Sequence, residues 1–166
     1  MAAPERWSKA PPGAPLKGYR ARARRTGRRP RRLSLYVDSS ALLKRYVDEP
    51  DSEEAVSLLE SDSSLVTARH TIIEVRRNLH RLLVGREATA ARADFEQDLQ
   101  AFAIVELDEV TCEGAAGIAE ATGARSLDAL HLSAARRVGA PAVAFLTFDR
   151  RQAHAARQLG FTVLGA

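Results

Sequence analysis

The sequence predicts an α/β fold, a three-layer α/β/α sandwich around a mostly parallel sheet. Three observations carry that expectation. Short apolar segments alternate with helical ones over about 134 residues from Leu33 onward, and strands alternating with helices build parallel sheets. The run Ala142-Val-Ala-Phe-Leu-Thr147 is apolar without interruption, as in a parallel strand covered on both faces. The stretch Leu33-Ser-Leu-Tyr-Val-Asp38 runs straight into a helix start, the first half of a βαβ unit.

The elements follow in order. The first strand ends on Asp38, with Ser39 and Ser40 as candidate caps of a helix on Ala41, Leu42 and Leu43. Glu49-Pro50 breaks the chain, and Asp51-Ser-Glu-Glu54 opens a second helix through Leu58 and Leu59. Ser64-Leu-Val-Thr67 is a short strand. A helix over about 71–84 carries Ile72, Val75, Leu79, Leu82 and Leu83 as one apolar stripe, and Gly85 stops it. Residues 86–103 predict another amphipathic helix on Ala90, Ala93, Leu99 and Phe102. Ile104-Val-Glu-Leu107 is a third strand, and an Ala- and Gly-rich helix spans about 109–122. Ser126 caps a helix on Leu127, Leu130, Ala134 and Val138, which Gly139 and Pro141 end. After the fourth strand, Asp149 opens the last helix, Gly160 closes it, and Phe161-Thr-Val-Leu164 is the final strand.

Composition narrows the class. The hydrophobic share is 45% and the charged share 28%, values of a globular chain rather than a disordered one. No apolar run approaches the ~18–20 residues that span a bilayer, and no secretory signal pattern is present. Cys112 is the sole cysteine, which excludes an intrachain disulfide and a thiolate zinc cluster and suits the cytoplasm.

The net charge of +4 is unevenly divided. Residues 1–32 hold 11 Lys/Arg and one Glu, whereas the rest carries 14 Lys/Arg against 20 Asp/Glu. That basic, Pro/Arg-rich extension lacks helical or strand periodicity and predicts disorder. Two readings of it stand: an arm that grips nucleic-acid phosphates, or an over-long predicted start. Residues 33–166 form the single folded domain.

Four acids stand out. Asp38 and Asp149 each end a strand and begin a helix; Glu74 and Asp128 lie in the first turns of theirs. Singly, each has an ordinary explanation. Asp149 with Gln152, and Thr71 with Glu74, read as capping boxes, and Asp128 suits the helix dipole. Together they matter more, because strand-to-helix junctions of a parallel sheet share one edge. Four carboxylates there would raise one another's pKa unless a cation joined them. All-oxygen ligands point to Mg²⁺ or Mn²⁺, ions that polarise phosphates and activate water. His131 borders an apolar face and reads as a packed core histidine. His70, His80 and His154 show no i, i+4 pairing with one another or with a metal-ligand partner.

Four segments, Val37-Asp-Ser-Ser-Ala-Leu-Leu-Lys-Arg-Tyr46, Glu74, Arg125-Ser-Leu-Asp-Ala-Leu-His-Leu132 and Leu146-Thr-Phe-Asp-Arg-Arg151, resemble the PIN-domain ribonucleases. The resemblance is strongest to VapC-type toxins of bacterial toxin–antitoxin pairs and covers 33–166. It implies a parallel five-stranded sheet and a Mg²⁺- or Mn²⁺-dependent endoribonuclease, in a homodimer that a small antitoxin inhibits. Carried across, the metal-site and catalytic carboxylates are Asp38, Glu74, Asp128 and Asp149. Ser39 and Thr147 match supporting polar positions, and Arg125 matches a basic residue facing the RNA backbone. Residues 1–32 lie outside the resemblance. Rival readings are a DNA nuclease or phosphatase on the same acidic edge, and a non-catalytic module that binds nucleic acid or a partner through the basic arm. Ser40 stands where an aspartyl-phosphate phosphatase usually has a second Asp.

Overall fold

A computed structural model describes residues 34–61, 64–139 and 142–166. The basic extension and Leu33 lie outside the described residues. Five strands, β1 (Ser34–Val37), β2 (Ser64–Ala68), β3 (Ala103–Val105), β4 (Val143–Thr147) and β5 (Thr162–Gly165), form one sheet in the order β3-β2-β1-β4-β5. Every pairing is parallel, so the expected mostly parallel sheet is wholly so. Seven helices connect them: α1 (Ser39–Leu43), α2 (Ser52–Leu59), α3 (Arg69–Leu82), α4 (Gly85–Asp98), α5 (Glu109–Thr122), α6 (Ser126–Gly139) and α7 (Arg150–Gln158).

The period-2 alternation of β1 divides the core. Leu35 and Val37 face a cluster with Leu42, Leu59, Val75, Leu79 and Phe95 from α1–α4. Tyr36 faces the opposite cluster, with Ile118, Leu132, Ala135 and Ala156 from α5–α7. Each strand is therefore sandwiched between helical layers, and β4 is buried on both faces, with Val143, Phe145 and Leu146 at most 2% exposed. This core also fixes the site. The connection leaving β1 runs over one face and the one leaving β4 over the other, so the β1/β4 boundary is a topological switch point. Ligands in open α/β sheets bind beyond the carboxyl ends of strands at such a point.

Two expectations change. Gly85 does not end α3; Leu83 and Val84 are extended, and Gly85, at φ +57°, opens α4. The buried face of α4 is Ala91, Phe95 and Asp98, whereas Ala90 and Ala93 are exposed. Phe95 sets the phase, because the largest apolar side chain gains most from burial. Asp98 is tolerated on that face because Arg45 Nε donates to its Oδ2 at 2.6 Å and the Tyr46 hydroxyl at 2.9 Å. Leu99 and Phe102 do pack against the core, from a short 3₁₀ turn (Leu99–Ala101) and the residue after it.

Candidate active site

Asp38 follows β1 directly. Its backbone N–H donates to the Leu146 carbonyl at 3.1 Å, which carries the β1–β4 ladder one residue further. Its side chain then caps α1, Oδ1 accepting from the Ala41 N–H at 2.9 Å. Asp38, rather than Ser39 or Ser40, is thus the cap. Ser40 has another role: its hydroxyl lies 2.8 and 3.0 Å from the two Asp38 oxygens and accepts from the Phe148 N–H at 2.9 Å. The Thr147 hydroxyl donates to Asp38 Oδ2 at 2.7 Å and accepts from the Asp149 N–H at 3.0 Å. These two hydroxyls tie the end of β1 to the end of β4.

Asp38 is only 1% exposed. Burial raises its pKa, and the charge of His131 with hydrogen bonds from Ala41, Thr147 and Ser40 offsets that only in part. A carboxyl in this state is ready for a cation. Asp149 caps α7, its Oδ1 accepting from the N–H groups of Arg151 at 2.7 Å and Gln152 at 3.2 Å. The reciprocal half of the expected capping box does not form. Gln152 turns its Oε1 toward Thr147 instead, and the Asp149 N–H is already bonded there.

Glu74 is placed differently. Helix α3 starts at Arg69, so Thr71 is an interior residue, and its hydroxyl meets Thr67 Oγ1 at 2.7 Å rather than capping with Glu74. Glu74 Oε2 lies 2.8 Å from His131 Nε2, and the far nitrogen of that ring, Nδ1, lies 2.9 Å from the Tyr36 hydroxyl. Burial pushes the Glu74 pKa up, but the hydrogen bond and charge of His131, the charge of His70 and the Ser39 hydroxyl outweigh it, and the carboxyl is held below its ordinary value. Ser39, expected as a supporting residue, therefore supports Glu74.

The histidine expectations need correction. His131 is buried, at 2% exposure, but both its nitrogens face polar partners, so it is more than packing. His70 does pair at i, i+4, with Nε2 4.0 Å from Glu74 Oε2. Burial first, and the charge of His131 next, lower the His70 pKa to about 4. His131 and Ser40 are the site groups that reading the sequence missed. The available signal for His131 was its position three residues after Asp128, on the same helix face.

Asp128 lies in the first turn of α6. Its pKa is raised by burial, then by the charge of Asp149, with Glu74 adding and His131 and Arg125 opposing. Asp38, Glu74 and Asp128 thus all feel His131, and Asp128 also feels Asp149 and Glu74. Arg125 is exposed beside them, and with Asp128, Arg150, Arg151 and His154 it lines a cavity of about 380 Å³. Burial makes Asp38 costly to ionise, and burial with the charge of Asp149 does the same for Asp128, so a hard divalent cation would relieve both.

Comparison with known proteins gives the chain a family. Residues 35–158 match the PIN domain family. Ribonuclease VapC47 of Mycobacterium tuberculosis is 33% identical over 132 residues, covering 76% of this chain and 93% of that protein. Ribonuclease VapC46 of the same organism is 30% identical over 131 residues, 79% of this chain and 96% of the relative. Among solved structures, FitAcB from Neisseria gonorrhoeae superposes with a TM-score of 0.62 at 22% identity, covering 78% of this chain and 95% of that one. The sarcin–ricin loop cleaving toxin VapC20 of M. tuberculosis gives 0.62 at 20% identity, covering 74% and 95%. At that identity the structural likeness speaks to the fold alone.

Proposed function

This chain belongs to the PIN-domain family, and from that premise we propose that Asp38, Glu74, Asp128 and Asp149 are the metal-holding acids of an endoribonuclease. The chain is a ribonuclease of the VapC type, the toxin of a toxin–antitoxin pair. The observation that carries the site assignment is Asp38: a carboxyl with 1% exposure and a raised pKa, at the carboxyl end of β1, is stabilised as an anion by a cation against it. Mg²⁺ or Mn²⁺ suits the oxygen donors. The chemistry supplied by that ion when bound is polarisation of the phosphodiester and activation of water for in-line attack.

The chain's own residues set the stage. Ser40 and Thr147 fix the orientation of Asp38, and Thr147 also holds the backbone of Asp149. His131 and Ser39 keep Glu74 ionised and pointed. Arg125, Arg150 and Arg151 rim the cavity next to Asp128 and offer fixed positive charge to the RNA backbone, which an acidic site alone would repel. The partners in this reading are an RNA substrate in the cytoplasm, a small cognate antitoxin and a second copy of the chain. No described helix is long and apolar enough to cross a membrane.

The test is cleavage of labelled RNA by the full chain with Mg²⁺ or Mn²⁺, beside EDTA and Asp128→Asn. Cutting that both controls abolish is the expected result. Cutting that survives either one removes the acidic edge from the reaction.

A further inference from the structure

His70 lies one helical turn before Glu74 and is 3% exposed, yet neither of its ring nitrogens meets a hydrogen-bond partner. Burial and the charge of His131 disfavour its protonated form, and the charge of Glu74 and the Leu127 carbonyl offset them only in part. A buried polar group left this way is unfavourable and calls for an explanation, of which an ion is one. Its Nε2 is 4.0 Å from Glu74 Oε2, which is 2.8 Å from His131 Nε2, and the two rings lie against each other with centroids 4.1 Å apart. All three ligand atoms fall within 4.8 Å of one another. Around a tetrahedral Zn²⁺ with bonds of about 2.0–2.1 Å, neighbouring ligand atoms sit about 3.3 Å apart. The separations seen here bracket that value.

We propose that His70, Glu74 and His131 form a binding site for a borderline divalent transition-metal ion of the Zn²⁺ class, set behind the acidic edge. Two imidazoles and one carboxylate are donors that suit Zn²⁺ and not Mg²⁺. The second layer is in place. When His131 Nε2 gives its lone pair to an ion, Nδ1 carries the proton, and the Tyr36 hydroxyl 2.9 Å away accepts it. The Glu74 side chain keeps 20% exposure, which gives an ion a way in and leaves a position open on that side. Glu74 is shared with the acidic edge, so occupancy of this site withdraws one oxygen from the hard ion. Zn²⁺ is thereby an antagonist of the nuclease centre rather than its cofactor.

The experiment is calorimetric titration of Zn²⁺ into the full chain in excess Mg²⁺, so that binding and not cleavage is read. One Zn²⁺ per chain is expected, with affinity falling about tenfold or more in His70→Leu and unchanged in Asp128→Asn. Equal binding in His70→Leu places the ion elsewhere and overturns the proposal, as does absence of binding to the folded unaltered chain. Loss in Asp128→Asn alone puts Zn²⁺ on the acidic edge and overturns it too. A second measurement needs no variant: Co²⁺ bound to the unaltered chain gives visible absorption that Zn²⁺ abolishes and Mg²⁺ leaves intact. Absorption lost to Mg²⁺ refutes the site. Failure here leaves the ribonuclease assignment standing, and the converse holds.

Discussion

The four acids of the switch point come as two pairs held by different means. Asp38 and Asp149 sit where strands end and are fixed by backbone N–H groups as helix caps. Glu74 and Asp128 lie inside helices; Glu74 is held by His131, 57 positions away, and the charge that favours an ionised Asp128, against the repulsion of Asp149 and Glu74, comes from His131 and Arg125. A cap acid is thus oriented by the fold itself. A helix-face acid is oriented only once the other helical layer has docked.

Asparagine substitutions set the pairs against each other most sharply. Asp38→Asn and Asp128→Asn should each lower RNA cleavage about 100-fold or more, since even a residue that supports a metal ligand is worth 10–100-fold. Their stabilities should part company. Asparagine caps a helix as well as aspartate, and it removes a buried charge. The Asp38 pKa is raised above the 3.8 of the unfolded chain, so the folded state binds more protons in the window above 3.8 and loses stability as pH rises through it. In EDTA at neutral pH, Asp38→Asn should therefore melt higher than the unaltered chain. A lower melting temperature would show that the charge at Asp38 costs the fold nothing.

The same division decides what could be read from the sequence. Strand-to-helix junctions at Asp38 and Asp149 were legible because a short apolar run followed by a carboxylate is local. The mostly parallel sheet and the buried β4 followed from alternation and the run at 142–147. The Asp149–Gln152 capping box does not close because Thr147 meets both Gln152 and the Asp149 N–H, and the Thr71–Glu74 box does not because α3 starts at Arg69 and Thr71 bonds Thr67 instead. The face of α4 is hard to read from its many alanines, whose small side chains mark no face; Phe95 alone sets it. The His131–Glu74 contact joins helices on opposite sides of the sheet, and no sequence period reports such a contact.

Thr147→Val tests the bridge between the cap acids. The hydroxyl is fully buried and serves Asp38 Oδ2 and the Asp149 N–H together, so its loss should cost about 1–3 kcal/mol in denaturant unfolding. Thr147→Ser should recover most of that. Equal loss in both variants would assign the effect to the methyl group and not to the bridge. Asp149→Ala is the milder break: two N–H groups of α7 lose their acceptor, at a cost of about 1 kcal/mol, while the Asp38 network stays intact.

The smallest effect is a slope. The His70 pKa is lowered from 6.5 to about 4, so between those values the unfolded chain binds more protons than the folded one. Stability from His70 is complete above pH 6.5 and drains away as pH falls toward 4. Asp38 tilts the other way, because its raised pKa favours the folded state on the acid side. In metal-free chain the two tendencies oppose each other over part of the range, which leaves a shallow profile. Asp38→Asn should uncover the His70 slope, with stability rising from pH 4 to 6.5, and His70→Leu should uncover the opposite one. Melting temperatures of both variants across that window in EDTA decide it. Two profiles of the same sign would mean that one of the two groups is not buried in the state it has here.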